Sequence, residues 1–245
     1  MIVEQRYVDY INSLEREEFP YLEELERYAV ETEVPIIRKE MQSFLKTLLV
    51  MNKPRQILEV GTAIGFSALL MSEYMPEDAH ITTIEKYEKR IPIARHNFER
   101  FGKQDCITLL EGDATDVLQT LDDGFDFIFM DAAKGQYIHF LPDILRLLKP
   151  GGILLSDNVL QDGDVIESRY AVTRRNRTIH GRMREYLYEL THHACLRTSI
   201  LPLGDGIALS VRLPDGETTW EACRTETAEQ TSEQVSEQIS EQTAE

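Results

Sequence analysis

From residue 56 onward, short apolar runs alternate with segments whose apolar residues recur every three or four positions. "QILEV", "HITTIE", "ITLLEGD", "FDFIFMD" and "ILLSDN" read as strands. Between them, "GFSALLMSEYM", "KRIPIARHNFERFG", "TDVLQTL" and "YIHFLPDILRLLKPGG" read as helices, the last ending at Pro-Gly-Gly. Five strands joined by helical crossovers are the pattern of a parallel sheet. "YLYEL" continues a later helix, and "LRTSILPLGDGIALSVRL" places two apolar runs around Gly-Asp-Gly, which predicts a hairpin. The expected fold is therefore α/β. It is a doubly wound, Rossmann-like sheet of seven strands, mostly parallel with a C-terminal antiparallel strand, and with helices on both faces.

Two flanking regions depart from this pattern. Residues 1–51 read as helices packing on the domain, punctuated by Pro20 and Pro35, and the domain itself spans 52–213. Residues 225–245 repeat a four-residue unit with too few apolar groups to bury, which predicts a disordered acidic tail or a weak helix.

Composition narrows the partners. The chain has 245 residues, 42% hydrophobic and 28% charged, enough for one α/β domain with a buried core. No apolar run reaches the roughly eighteen residues a membrane helix needs, and the charged N-terminus has no signal-peptide core. Three separated cysteines, Cys106, Cys195 and Cys223, fit neither a disulfide framework nor a C-x-x-C metal site, so a reducing cytoplasm is expected. The net charge is -17, and still -11 without the six glutamates after residue 224. Such a chain does not coat nucleic acid generally, so any polyanion must meet a local basic patch.

In an open α/β sheet, ligands bind beyond the carboxyl ends of the strands. The first such end carries "LEVGTAIGFSALL", with Gly61 and Gly65 where strand turns into helix. Glycine there admits positive φ and a close ligand. The middle glycine of G-x-G-x-x-G, which admits a pyrophosphate, is missing, so NAD or FAD is disfavoured. Glu85 ends the second strand, where an acid accepts hydrogen bonds from two ribose hydroxyls. Asp113 ends the third, placed to meet an adenine edge or simply to cap the next helix. A nucleoside without phosphates fits, and S-adenosylmethionine (SAM) is one. Asp131 ends the fourth strand, and Asp157 and Asn158 end the fifth. Two carboxylates and a carboxamide at neighbouring strand ends make an all-oxygen site suited to Mg²⁺, Mn²⁺ or Ca²⁺ rather than zinc. A helix cap and a polar loop are the plainer reading.

The succession "EVGTAIGFSALL", "IEKYE", "EGDA", "DFIFMDAAKGQY", "GGILLSDNVL" resembles the cation-dependent O-methyltransferases of the catechol and caffeoyl-CoA type, over about residues 36–213. "DxxKxxY" followed by "DN" is specific to that group. The resemblance implies that Val60, Gly61, Gly65, Phe66 and Ser67 hold the methionine part of SAM, with Met41 beside the sulfonium. It implies Glu85 on the ribose, Asp113 and Ala114 on the adenine, and Asp131 at the cofactor as well as the metal. It implies Asp131, Asp157 and Asn158 as ligands of Mg²⁺, and Lys134 as the general base that takes a proton from the acceptor hydroxyl. Without it, Lys134 reads as a surface lysine opening a helix. Ala133 departs from the plant enzymes, which usually carry an acid there, and this places a plant-type acceptor in doubt.

The acceptor is addressed by "SRYAVTRRNRTIHGRMR", residues 168–184, with six arginines and no acid. Arg169, Arg174, Arg175, Arg177, Arg182 and Arg184 form a phosphate-binding patch in an acidic protein, able also to stack on unpaired bases. A solvated helix face pairing with Glu167, Glu185 and Glu189, or a site for coenzyme A phosphates, are the alternatives. With this segment the chain resembles the bacterial branch of the family that methylates 5-hydroxyuridine at the tRNA wobble position. That implies the tRNA anticodon loop as substrate and 5-methoxyuridine as product. A small catechol or phenol is the second acceptor class, and a SAM- or RNA-binding protein without catalysis is a third reading. Family members are often homodimers, which is the expected assembly.

Overall fold

The computed structural model describes residues 2–16, 19–122 and 124–214, so the tail and Trp220 lie outside the described residues. Three helices come first: α1 (Gln5–Ser13), α2 (Pro20–Glu31) and α3 (Lys39–Asn52). Then β1 (Gln56–Val60), α4 (Phe66–Tyr74), β2 (His80–Glu85), α5 (Ile91–Arg100), β3 (Ile107–Glu111) and α6 (Ala114–Thr120) alternate. β4 (Phe125–Met130), α7 (Tyr137–Leu147), β5 (Leu148–Ser156), α8 (Arg177–His192), β6 (Leu196–Leu201) and β7 (Ile207–Arg212) complete the domain. Among the described residues no helix is long and apolar enough to cross a membrane.

The strands form one seven-stranded sheet in the order β3-β2-β1-β4-β5-β7-β6. Only β7 runs against the others, pairing antiparallel with both β5 and β6. The order reverses between β1 and β4, so the crevice for a ligand opens above those two strands. Side-chain alternation splits the core in two. Ile57, Phe127, Phe129 and Leu155 face α2, α3, α4 and α5. Leu58, Val60, Ile128, Met130 and Leu154 face α6, α7 and α8.

β5 differs from expectation. Leu148–Gly152 belongs to the strand and not to the end of the helix, because α7 stops at Leu147 and Phe125 pairs with Leu148. A register shift then carries the pairing to Phe127 with Ile153, taking up the Pro-Gly-Gly stretch as an irregularity in the sheet.

α1 buries none of its residues. Tyr7, Tyr10, Ile11 and Leu14 are each at least half exposed.

Candidate active site

A cavity of about 830 Å³ lies over the carboxyl ends of β1, β2, β4 and β5. That volume is toward the upper end for ligand sites and leaves room for a nucleoside beside a second ligand.

One wall is the turn after β1. Gly61 takes φ +99, and a Cβ there would stand 2.3 Å from the Asp131 carbonyl oxygen. Glycine is thus required by the close approach of the β1 and β4 ends, in addition to any ligand. Gly65 takes φ +88 at the start of α4, where the Phe98 ring leaves no space for a Cβ. Gly65 does not itself line the cavity, whereas Val60, Gly61, Phe66 and Ser67 do. The Asn97 amide donates to the Ile64 carbonyl at 2.8 Å and fixes the turn from behind.

Glu85 is buried and lines the cavity. Its carboxylate accepts from the amides of Ala63 (2.8 Å), Lys86 (2.9 Å) and Tyr87 (2.7 Å). These three donors aim the carboxylate into the cavity and leave about one of its four lone-pair sites, on Oε2, for a hydroxyl of a ligand. Asp113 and Ala114 line the same end. The capping reading of Asp113 holds: Oδ1 caps α6 by accepting from the Thr115 amide at 2.9 Å, while Oδ2 meets Lys86 Nζ at 3.1 Å. The Thr115 amide bond, ahead of Lys86, holds its pKa below the ordinary value.

The opposite end is the oxygen edge. Asp131, Asp157, Asn158 and Lys134 all line the cavity. The Asp157 amide donates to the Met130 carbonyl at 2.9 Å, and the Asn158 amide to Asp157 Oδ1 at 2.7 Å. Asn158 sits at φ +59, a left-handed conformation that asparagine tolerates better than most residues. Tyr137, fully buried, explains the last position of the D-x-x-K-x-x-Y motif. Its hydroxyl reaches the carbonyls of Met130 (3.1 Å) and Asp157 (3.2 Å), tying the two strand ends together. Its ring meets Tyr186 edge-on at 5.4 Å, and the Tyr186 hydroxyl bonds Ser156 Oγ at 2.7 Å. α8 therefore braces the same edge.

Electrostatics test whether these residues suit a cation. Burial, then the charge of Glu59, pushes the Asp131 carboxyl up to about 6, with Lys134 opposing. Burial, then Asp131, pushes Asp157 up to about 7, again against Lys134. Two buried acids whose ionisation is suppressed by burial and by neighbouring negative charge are what a divalent cation relieves. Among the described residues no three His, Cys, Asp or Glu side chains cluster for a metal. The set here is two carboxylates and the Asn158 amide, which fits a hard ion that retains water ligands.

Glu59, at the carboxyl end of β1, is a residue to which the sequence assigned no role. It is fully buried on β1 and accepts from the Ser67 hydroxyl and from Thr83 Oγ1 at 2.5 Å. Burial raises its pKa, and its charge is the second cause of the shift on Asp131. The Ser67 hydroxyl is thereby committed to Glu59, so what Ser67 offers the cavity is mainly its surface.

Met41 is the residue the sequence expected beside the sulfonium. α3 begins at Lys39, which turns Met41 into the core at 1% exposure, and it does not line the cavity. The preceding segment does so instead, through Pro35, Ile36, Ile37 and Arg38.

The six arginines divide into two groups. Arg177 donates to the Val172 carbonyl at 3.3 Å, Arg182 to Gly135 at 3.0 Å, and Arg184 to Val165 at 3.0 Å. These three hold the segment after β5, and the turn bearing Lys134, against α8. Arg169, Arg174 and Arg175 are exposed. Among the described residues none of the six pairs with Glu167, Glu185 or Glu189. Tyr170 stands between them at 87% exposure, an aromatic the charge count had passed over.

The profile of the O-methyltransferase family matches residues 12–213. A catechol O-methyltransferase of Niastella koreensis is 34% identical over 128 residues, 51% of this chain and 58% of that protein. Caffeoyl-CoA O-methyltransferase 1 of Eucalyptus globulus is 31% identical over 183 residues, 69% of this chain and 72% of that one. Among solved structures, the SAH-bound methyltransferase PaMTH1 of Podospora anserina superposes with a TM-score of 0.77 at 28% identity, covering 86% of this chain and 95% of that one. The chain belongs to the SAM-dependent O-methyltransferase family of the catechol and caffeoyl-CoA type.

Proposed function

We propose that this O-methyltransferase moves the methyl group of SAM to the 5-hydroxyl of 5-hydroxyuridine at the tRNA wobble position, giving 5-methoxyuridine, in the cytoplasm and with Mg²⁺ at Asp131, Asp157 and Asn158. The observation that carries the acceptor is the stretch after β5. There Arg169, Arg174 and Arg175 are exposed around a Tyr170 that is 87% exposed, in a protein of net charge -17. Guanidinium groups for phosphates with an interleaved aromatic ring for an unstacked base suit a single-stranded loop.

When bound, SAM supplies the methyl group and Mg²⁺ the electrophile that acidifies the acceptor hydroxyl. The chain does the rest. Glu85, aimed by three amides, holds the ribose. The Gly61 turn keeps the methionine end close to the Asp131 backbone. Tyr137 fixes the two acids at the span its carbonyl contacts set. Lys134, on the same wall, accepts the hydroxyl proton as the new C–O bond forms and the C–S bond breaks.

The second reading, a small catechol or phenol as acceptor, is favoured by the names of the catechol and caffeoyl-CoA relatives. Radiolabelled SAM offered with tRNA carrying 5-hydroxyuridine, beside a catechol, separates the two. The tRNA product is expected to dominate; label on the catechol alone would remove the RNA reading. Arg174→Glu with Arg175→Glu is expected to lower kcat/KM on tRNA by about tenfold or more, and to spare a free hydroxylated nucleoside. Equal effects on both acceptors would contradict a role in binding phosphate.

The homodimer belongs to this proposal through α1. A nine-residue helix burying none of its own side chains has little to stabilise it alone. A second copy covering Tyr10 and Ile11 would supply that burial. Sedimentation is expected to give a dimer that Tyr10→Glu with Ile11→Glu splits; a parent that sediments as a monomer would remove this assembly.

A further inference from the structure

Arg38 joins two walls of the cavity. It stands just before α3, at the end of the segment 35–38 that lines the cofactor side. Among the described residues this segment has no strand partner. Its ties to its own side include the 4% exposed Ile37 in the core, the half-buried Ile36 packed against that core, a Gln42 side-chain bond to the Ile37 carbonyl at 3.0 Å, and the Gln42 amide to the Arg38 carbonyl at 2.9 Å. Arg38 Nη2 crosses to Asp205 Oδ1 at 2.5 Å and approaches Asp162 Oδ1 at 3.5 Å.

Asp205 lies in the β6–β7 loop and lines the opposite wall with Asp157, Asn158 and Lys134. That loop is rigidly joined to the oxygen edge. The Leu160 amide donates to the Asp205 carbonyl at 2.9 Å, and the Val159 amide to the Gly206 carbonyl at 2.8 Å. Gly206, at φ +86, meets Leu160 so closely that a Cβ would stand 2.3 Å from its Cγ. One end of the ion pair is therefore on a firm wall, and the other is on a segment without sheet bonds. The Asp205 side chain is 13% exposed and the Arg38 side chain 38%, so the pair sits at the rim and is partly shielded from salt.

We propose that the Arg38–Asp205 pair is a fastening across the cofactor cavity. It holds segment 35–38 over the S-adenosyl ligand, and it must part for that ligand to leave. Both are positioning residues, and the proposal rests on the assignment of this cavity to SAM.

The test is dissociation of S-adenosylhomocysteine (SAH) followed by displacement, without acceptor. Arg38→Met should raise the off-rate roughly threefold to tenfold, the effect of losing one partly shielded ion pair while Ile37 still anchors the segment. Asp205→Asn should raise it too, though by less, because Asp162 still faces Arg38, and the double variant should not exceed Arg38→Met, which already removes the pair. Arg38→Lys should restore most of the retention. Hydrogen exchange of the ligand-free protein should quicken at residues 36–38 in Arg38→Met. If Arg38→Met fails to fold, Asp205→Asn carries the same comparison. An unchanged off-rate in the folded variants, or additive effects in the double one, would overturn the fastening. A parent chain that binds no SAH at all would overturn the cofactor assignment beneath it.

Discussion

Asp157→Ala is expected to abolish methyl transfer, by ~10³-fold or more, while SAM binding largely survives. Losing the cation removes several kcal/mol of transition-state stabilisation, and each ~1.4 kcal/mol is tenfold in rate. Glu85 and Asp113, proposed for the ribose and adenine, lie at the other end of the cavity and would be untouched. Stability separates this outcome from misfolding. The folded pKa values of Asp131 and Asp157, about 6 and about 7, lie above the ordinary 3.8. For groups shifted upward, the stability they contribute is full below the unfolded value and is lost as pH rises through the folded one. The isosteric Asp157→Asn keeps a neutral side chain at every pH. Metal-free, it should therefore match the parent in acid and melt at a higher temperature than the parent above neutral pH. Added Mg²⁺ should raise the melting temperature of the parent and leave that of Asp157→Asn nearly unmoved. A variant that loses activity, SAM binding and stability together would point to a folding role.

Lys134→Met is expected to lower kcat by ~10²–10⁴-fold, the usual worth of a positioned general base, with the affinity for SAM preserved. Lys134 lines the cavity and opposes the upward shifts of both Asp131 and Asp157. Activity should recover in part as pH is raised, since hydroxide then deprotonates the acceptor. Methyl transfer at the parent rate with Lys134→Met would leave the lysine as a surface residue.

Much of the site was legible because parallel strands end in register. Asp131 and Asp157 follow strands that pair Met130 with Ser156, so neighbouring positions in the sheet bring distant residues together without any knowledge of loops. Glu85 was legible for the same reason. The strap before α3 was not, because only the start of the helix at Lys39 decides whether Met41 or its predecessors face the cavity. Glu59 was hidden because its partners, Ser67 and Thr83, come from two different elements. The arginine segment shows a different limit: a charge count cannot tell Arg169 from Arg182, whose guanidinium is committed to the Gly135 carbonyl. The start of β5 was misread because Pro150, Gly151 and Gly152 carry turn chemistry, and only pairing with β4 draws the chain into the sheet.

The role of the oxygen edge is tested most directly by calorimetric titration of Mg²⁺ into the SAH-loaded protein, at a series of pH values from mildly acid to mildly alkaline. One ion should bind per chain, with protons released and affinity rising as pH passes through about 6 to about 7, where Asp131 and Asp157 give up their protons. Asp157→Ala should show no such binding. A parent protein that takes up no ion under these conditions, or a variant that binds it as well as the parent, would contradict the account.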